Sequence, residues 1–422
     1  MKLSLSALAV LATVSGLSVA CGGSDKGNTG DNLGGGGSGG EGGSGSGCAE
    51  GEVQMGGACI PLGPGAVPCA TMPNSGYDGD TQCLSAPDPS IGMQMHYGPT
   101  NYDDPEELSH FTIAPGDEYV DCMFMKTPNE NDIHMSDYHV RLRPGTHHMI
   151  TYVQPQEMPD SVYPEACHQG ATFTFLVGAT APNTDISGVG AAGAPEYEGA
   201  AMTIKAKSQA AVQMHFINTT DRDRLKEGWI NALYMPDDQV KMEVNPITWL
   251  GGIGMSIGPH THVVTQGGST AQVQISSCTV DPAQAYNPSG LQDGDPGFGD
   301  LNIIATVAHA HSHTSRVAAF IQRAGSTERQ KFYEDYNWEE PTFVYYNSKV
   351  KNPMFDPVTK TTGGLTGQLV AHPGDQLSWE CEVNNDSDNL TLKFSDLALT
   401  GEMCNVFGVY GPAMQPWSCI SL

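Results

Sequence analysis

Basic residues and paired cysteine motifs are both scarce in this sequence of 422 residues. It carries 19 lysines and arginines against 47 aspartates and glutamates, which gives a formal net charge of -28. Because proteins hold nucleic acids mainly through phosphate contacts, we expect no nucleic-acid partner. No Cys-x-x-Cys pair occurs, which argues against a zinc ribbon or a thioredoxin-like redox site. The lack of a His-Glu-x-x-His motif likewise disfavours a zinc hydrolase.

The N-terminal apolar segment, residues 3–20, is short for a membrane span and is followed at once by a glycine-rich stretch. With Lys2 before it and small residues at its end, it predicts a cleaved signal peptide over residues 1–20. The tripeptide Ser-Val-Ala ahead of Cys21 resembles a bacterial lipobox, although Leu17 stands one position too early and an ordinary signal peptidase would also suit the site. We therefore expect export, as a lipoprotein of the outer membrane or cell surface lipidated on Cys21, or otherwise as a secreted protein.

Two accessory segments follow the signal peptide. Residues 21–47 are dominated by glycine and serine, cannot bury a core and are predicted to form a flexible tether. Residues 48–106 are predicted to form a small disulfide-stapled segment whose role the sequence does not reveal. The chain has 11 cysteines, so ten remain when Cys21 is set aside, an even number that suits disulfides in an exported protein.

From about residue 107 the chain has the pattern of an all-β protein. Glycine (51) and proline (28) are abundant, charged residues make up only 16%, and no long amphipathic helix stands out. Short apolar runs such as EYVDCMFMK, AAVQMHFIN, LNIIATVAHAH and GDQLSWECEV alternate with turn residues. This pattern predicts two tandem antiparallel β-sandwich (jelly-roll-like) domains, over residues 107–245 and 246–422.

Several of the 14 histidines stand in patterns that suit a metal. His147 and His148 are adjacent, so on a regular strand they point to opposite faces, and both reach one ion only at a strand end or a distortion. Alone, such a pair is more often structural. His215 shares a strand face with Gln213, and it becomes a candidate third ligand only in company with that pair.

A stronger signal is the alternation of His309, His311 and His313. On a strand these three imidazoles share one face, and neutral imidazole suits copper, zinc or iron. The alternative is a polar strand facing solvent. His260 and His262 form a competing pair flanked by Gly and Pro, which we interpret as a loop rather than a site.

Met403 precedes Cys404 in GEMCN. A thioether is a soft ligand that selects Cu(I), whereas the alternative is a core methionine. If the two residues lie on a strand, their side chains point to opposite faces, so the sulfur of Met403 can face a metal while Cys404 faces a disulfide.

Taken together, these segments resemble the ascorbate-dependent type II copper monooxygenases, the family that includes peptidylglycine α-hydroxylating monooxygenase and dopamine β-monooxygenase. The similarity runs in patches from about residue 107 to residue 422, through DEYVDCMFMKTP, HHMITY, VQMHF, HAHSHTSRVAAFIQRAG, GDQLSWECEV and GEMCN. Each motif is short, and their order and separation carry the resemblance.

The resemblance implies two separate single-copper sites, one in each domain. An electron-storing copper would be held by His147, His148 and His215. The copper that binds dioxygen would be held by His309, His311 and Met403, and we count Gln213 with these three among the catalytic residues. His313 would be a neighbour of the site or an alternative ligand. The activity implied is hydroxylation of a C–H bond with O₂, with ascorbate or a similar one-electron reductant as the donor.

The chain departs from the peptide-amidating members at the implied substrate site, which comprises Asn405, Val307 and Phe407. Val307 replaces an arginine and Phe407 replaces a tyrosine, while Asn405 remains. The cationic clamp for a peptide carboxylate is thus largely missing, and we expect a small, more apolar organic substrate.

The same resemblance implies disulfides between Cys381 and Cys404 and between Cys278 and Cys419. The alternative function is a copper-binding surface lipoprotein without catalysis. The sequence leaves the oligomeric state open.

Overall fold

The computed structural model describes residues 48, 52–55, 58–63, 75–167, 174–190, 194–262, 274–281, 299–349, 363–413 and 416–420. The predicted signal peptide, the tether and Cys21 lie outside these residues. Within them the fold is all-β, as predicted, with a single α-helix, α1, at Pro105–Phe111. The described residues also include short 3₁₀ helices at Gly188–Gly190, Pro195–Tyr197 and Asp237–Gln239.

The strands alternate with turns along the whole described chain. In the first half they are β1 Glu52–Met55, β2 Ala58–Pro61, β3 Gly92–Tyr97, β4 Thr112–Ile113, β5 Glu118–Lys126, β6 Ile133–Leu142, β7 Thr146–Gln154, β8 Glu165–Ala166, β9 Thr174–Ala179, β10 Asn183–Ile186, β11 Ala200–Ile204, β12 Gln209–Ile217, β13 Arg224–Leu225, β14 Gly228–Met235 and β15 Met242–Glu243. In the second half they are β16 Asn245–Gly251, β17 Ser256–Ile257, β18 Thr261–His262, β19 Gln274–Thr279, β20 Leu301–Ala310, β21 Thr314–Gln322, β22 Arg329–Asp335, β23 Val344–Tyr345, β24 Gly363–Gly364, β25 Leu369–Ala371, β26 Gln376–Asn385, β27 Leu392–Lys393, β28 Cys404–Gly411 and β29 Trp417–Ile420.

The first sandwich pairs a sheet of order β15-β11-β6-β14-β3, with β10 on β6, with a sheet of order β8-β5-β12-β7-β9. Strand β12 is buried along its whole length, and its side chains alternate between the two faces of its sheet. Val212, Met214 and Phe216 point into the core between the sheets, and the intervening Gln213 and His215 point to the opposite face.

The first sandwich begins earlier in the chain than residue 107. Strand β3 pairs with β14, although it lies inside the segment 48–106 that we expected to be separate. Met93, Met95 and Tyr97 alternate into the first core. This strand was missed because it is short and flanked by Gly and Pro residues.

The second sandwich pairs a sheet of order β23-β20-β28-β16-β29, with β25 on β20, with a sheet of order β18-β26-β21-β22-β24, with β19 on β26. Its core holds large aromatic residues that are essentially fully buried, among them Trp249, Trp379, Tyr333 and Tyr346. Most strand pairs in both sandwiches are antiparallel, and the parallel exceptions are β11 with β15 and β16 with β29.

The two sandwiches meet along what we call the seam, where the β5-β12-β7-β9 sheet faces the β20-β28-β16-β29 sheet. Phe175 of β9 stacks on Phe407 of β28 across it, with ring centroids 5.2 Å apart. A single residue, Val244, connects β15 to β16, and it is fully buried in the first core. Ile247, three residues later, already packs in the second core.

Disulfides join Cys48 to Cys59, Cys122 to Cys167, Cys278 to Cys419 and Cys381 to Cys404. The last two pairs are those that the family resemblance implies. Cys83 is also disulfide-bonded, whereas Cys69 lies outside the described residues. This cysteine usage fits an exported protein. No helix among the described residues has both the length and the apolar character needed to cross a bilayer.

Candidate metal centre

Strand β7 carries His147 and His148 at its start, facing the seam. Gly145 turns the chain into this strand with a φ of 100°, and a Cβ there would lie 2.5 Å from the ring of Phe216, so only glycine fits. Opposite β12, His148 pairs with His215 but Thr146 pairs with Phe216, which leaves His147 as an extra residue in a β-bulge. The bulge is the distortion that lets two adjacent histidines approach one site.

His309 and His311 reach the same place from the second sandwich. His309 lies near the end of β20 opposite Asn405 of β28, and His311 follows directly after the strand. The backbone N–H of His311 donates to the Glu402 carboxylate over 2.6 Å, and the N–H of Met403 donates to the same oxygen over 2.8 Å. Glu402 therefore ties together the backbones of two predicted ligands.

Five imidazoles converge at the seam, and we call His147, His148, His215, His309 and His311 the histidine cluster. Ring centroids of His147 lie 5.2 Å from His148, 5.0 Å from His215 and 5.3 Å from His309. Two sets of three place their ligand nitrogens within 4.8 Å of one another: His147 with His148 and His215, and His147 with His309 and His311.

This arrangement differs from the two separate sites that the resemblance implies. Because the histidine faces of β7, β12 and β20 pack against one another across the seam, the two predicted histidine sets adjoin and share His147. Sequence motifs identify the residues of each set but do not give the distance between the two sets.

The histidine cluster is buried yet leaves ring nitrogens without hydrogen-bond partners. Each of the five histidines is at most 6% exposed. The nitrogens that lack partners include His147 Nε2, His148 Nδ1, His215 Nδ1 and His309 Nδ1. Since buried polar atoms are normally satisfied, so many unpaired nitrogens in one place fit a bound metal ion.

Burial also sets the protonation of the cluster. It lowers the pKa of His147, His148 and His309 well below the usual value, and the neighbouring imidazoles lower it further. Burial, followed by the charge of His215, lowers the pKa of His311 to about 3. These four imidazoles are therefore neutral at physiological pH, the form that binds metals.

Two side chains fix which nitrogen of a histidine faces the centre. His148 Nε2 lies 3.1 Å from Gln213 Oε1, and His215 Nε2 lies 2.8 Å from Glu118 Oε1. Both acceptors require an N–H at Nε2 of the imidazole, so each ring turns Nδ1 toward the cluster. The sequence reasoning included Gln213 but missed Glu118, which belongs to a different strand.

A cavity of about 510 Å³ adjoins the cluster at the seam. Its walls include His148, Gln213, His309, Met403, Asn405 and Phe407, together with Val120, Ile150, Tyr152, Phe175, Leu250, Ile253, Phe394 and Asp396. Met403 is buried, and its sulfur lies 3.4 Å from the Asn405 amide nitrogen. The volume and the apolar and aromatic lining suit a small organic molecule.

The remaining predicted residues lie apart from the cluster. Val307 is buried opposite Phe407 in the sheet but is not part of the cavity wall. His313 turns away, with Nδ1 3.2 Å from the Ser312 hydroxyl. His260 is exposed and pairs with Asp388, in keeping with a loop, and the side chain of His262 lies outside the described residues.

Three imidazoles in each set suit copper, zinc, iron or nickel, and the thioether in the adjoining cavity is a soft donor. The side chains present therefore fit a late transition metal. The sequence matches no protein-family model, and comparison with curated protein sequences gives no significant match.

Proposed function

We propose that this protein is a copper-dependent monooxygenase that hydroxylates a C–H bond of a small apolar organic substrate in the seam cavity. The observation that carries the proposal is the histidine cluster: buried neutral imidazoles with unpaired nitrogens form part of the wall of a cavity that also holds a thioether. Copper is favoured over zinc because a thioether ligand has a purpose only for a soft metal.

In this proposal His147, His148 and His215 hold one ion, and His309, His311 and Met403 hold the other. His147 lies near enough to both sets to serve either. When bound, copper supplies one-electron redox chemistry toward dioxygen, with ascorbate or a similar reductant returning the electrons. The overall reaction takes R–H, O₂, two electrons and two protons to R–OH and water.

The protein's own residues hold the imidazoles in place, orient the substrate and exclude water. Gln213 and Glu118 keep the imidazoles in the tautomer that binds metal. The stacked rings of Phe175 and Phe407 close one side of the cavity and keep water from the reacting C–H bond. Holding the substrate beside His309 and Met403 converts a random encounter into an oriented one.

The cavity walls favour an apolar substrate. Aliphatic and aromatic side chains supply most of the wall, and none of the described residues that line it is a lysine or an arginine. A substrate carboxylate would therefore meet no lysine or arginine among the described wall residues, in contrast to the clamp of the peptide-amidating enzymes.

We further propose that the mature protein is a lipoprotein of the bacterial envelope, attached through lipid on Cys21 and held away from the membrane by the tether of residues 21–47. This places the proposed activity outside the cytoplasm, where copper and the reductant would be supplied.

The experiment is a turnover assay with labelled oxygen. Purified copper-loaded protein, ascorbate and ¹⁸O₂ are incubated with a panel of apolar small molecules and a metabolite extract, with catalase present to remove peroxide. We expect a hydroxylated product that carries the label. The matched variants are His311→Ala, which should give no product, and His313→Ala, which removes a neighbouring histidine outside the cluster and should keep activity. Copper binding without labelled product on any substrate would leave the alternative, a non-catalytic copper-binding surface lipoprotein.

A further inference from the structure

Glu118 opens β5 and lies diagonally across from His215, since its direct partner on β12 is Ile217. Its side chain is only 8% exposed, and Oε1 accepts the Nε2–H of His215 over 2.8 Å. The carboxylate therefore touches one proposed ligand directly and does so on the side of the ring away from the cluster.

The same carboxylate reaches across the seam. Its Oε1 also accepts the backbone N–H of Ala398, and its Oε2 accepts the N–H of Leu399 over 3.3 Å. Both amides belong to the loop between β27 and β28 of the second sandwich. A single side chain of the first sandwich thus binds a ligand of its own half and the backbone of the other half.

The loop between β27 and β28 also contacts the turn that carries the second histidine set. The Ser312 hydroxyl donates to the carbonyl of Ala398 over 2.7 Å. Ser312 directly follows His311, so the chain of hydrogen bonds runs from His215 through Glu118 and Ala398 to the turn that carries His311. Each link is between partly or fully buried groups.

We propose that Glu118 is a positioning residue that sets the place of His215 and of the His311 turn relative to each other. Metal occupancy of the two histidine sets and contact between the sandwiches are then linked through one carboxylate. The part that concerns metal rests on the proposed function, whereas the cross-seam contact does not.

The charge of Glu118 suits this role. Burial raises the pKa of its carboxyl, but the hydrogen bonds from His215, Ala398 and Leu399 outweigh burial and lower the pKa below the ordinary value. An ionised acceptor makes stronger hydrogen bonds than a neutral one, and carboxylates that orient ligating histidines raise the basicity of the ring.

The test compares Glu118→Gln with Glu157→Gln, a matched control on an exposed glutamate of the same sandwich whose side chain is 84% exposed. Glutamine keeps the size of the side chain but loses the charge and one of the two acceptor oxygens. In metal-free protein, hydrogen exchange measured by mass spectrometry on peptides covering residues 396–400 should be about 10–100-fold faster in Glu118→Gln, because a charge-assisted hydrogen bond is lost. The control should exchange like the wild type.

A second readout addresses the ligand. Cu(I) affinity, measured by competition with a chelator, should fall about 10–100-fold in Glu118→Gln, as is typical when the partner of a ligating histidine is removed. Pulsed EPR of the Cu(II) form should show a changed signal from the remote imidazole nitrogen, which reports the hydrogen bond of His215. A purely structural glutamate would lower the unfolding midpoint without moving this signal.

Ser312→Ala provides an independent variant should Glu118→Gln fold poorly. It leaves the His215 contact intact, so the remote-nitrogen signal should be unchanged, while exchange over residues 396–400 should still rise. Wild-type exchange in both variants would overturn the proposal. If wild-type protein binds no copper, the proposed function fails, yet the exchange experiment still decides whether Glu118 links the sandwiches.

Discussion

Replacing Glu402 with glutamine should stabilise the metal-free protein relative to the wild type, and this stabilisation should be larger at pH 8 than at pH 5. Glu402 is fully buried, and burial raises the pKa of its carboxyl from 4.5 to about 7 despite hydrogen bonds from the amides of His311 and Met403. Both amides donate to Oε1, so the oxygen of a glutamine can accept them in the same way.

The sign of the effect follows from which state holds the proton. Below pH 4.5 the carboxyl of Glu402 is protonated in both folded and unfolded protein, so it costs nothing. Between pH 4.5 and about 7 the unfolded chain loses the proton while the folded chain keeps it, and stability falls as pH rises. At 1.36 kcal/mol per pKa unit the total loss in the free energy of unfolding is about 3 kcal/mol. A glutamine does not titrate, so the variant does not lose this stability.

The assay is urea unfolding in the presence of a chelator, with disulfides intact, at several pH values from 5 to 8. The free-energy difference between Glu402→Gln and wild type should grow by about 2–3 kcal/mol over this range. The titration of the cluster histidines cancels, because both proteins carry them. Glu157→Gln serves as the exposed control and should show little change. A difference that is flat with pH would mean that Glu402 is ionised in the fold, and the reasoning from burial would be wrong.

Four further predictions concern the metal centre and the N-terminus. Met403→Ile should abolish hydroxylation and remove the copper–sulfur signal from X-ray absorption, while one copper per chain remains bound and still cycles. His148→Ala should also lose turnover but keep that sulfur signal, so metal counting and absorption spectra separate the two variants. Trp338 lies with its ring 5.2 Å from that of His147, so Cu(II) should quench its fluorescence, and Trp338→Phe should lose most of the quenching. Mass spectrometry of the mature chain should find lipid on Cys21, and an unmodified N-terminus would instead indicate a soluble secreted protein.

Features that repeat locally were open to prediction from sequence. Alternating apolar residues with Gly and Pro turns indicated an all-β chain, and the spacing of His309 and His311 indicated a shared face. It could also be stated in advance that His147 and His148 reach one site only where the strand is distorted, and the β-bulge is such a distortion. Each of these inferences depends on residues that are neighbours in the chain.

Features that depend on distant contacts could not be predicted in this way. Glu118 was missed because its role requires β5 to lie beside β12 and the loop of Ala398 to lie across the seam. The adjoining placement of His147 and His309 depends on how two sheets face each other, which no local pattern encodes. Val307 was included by analogy of position, but its side chain packs in the sheet outside the cavity wall.

The single buried residue between β15 and β16 limits how the molecule can work. A hinge needs residues that can change their backbone angles freely, whereas Val244 is packed in the first core and its neighbours already belong to strands. The carbonyl of Glu243 accepts the N–H of Ala413, and the Asn245 side chain donates to the carbonyl of Ala413, which pins the connection from the second sandwich as well. Swinging the halves apart would pull a core residue into water. Substrates should therefore enter and leave without separation of the two sandwiches, and their size limit should be set by the cavity of about 510 Å³ rather than by an opened cleft.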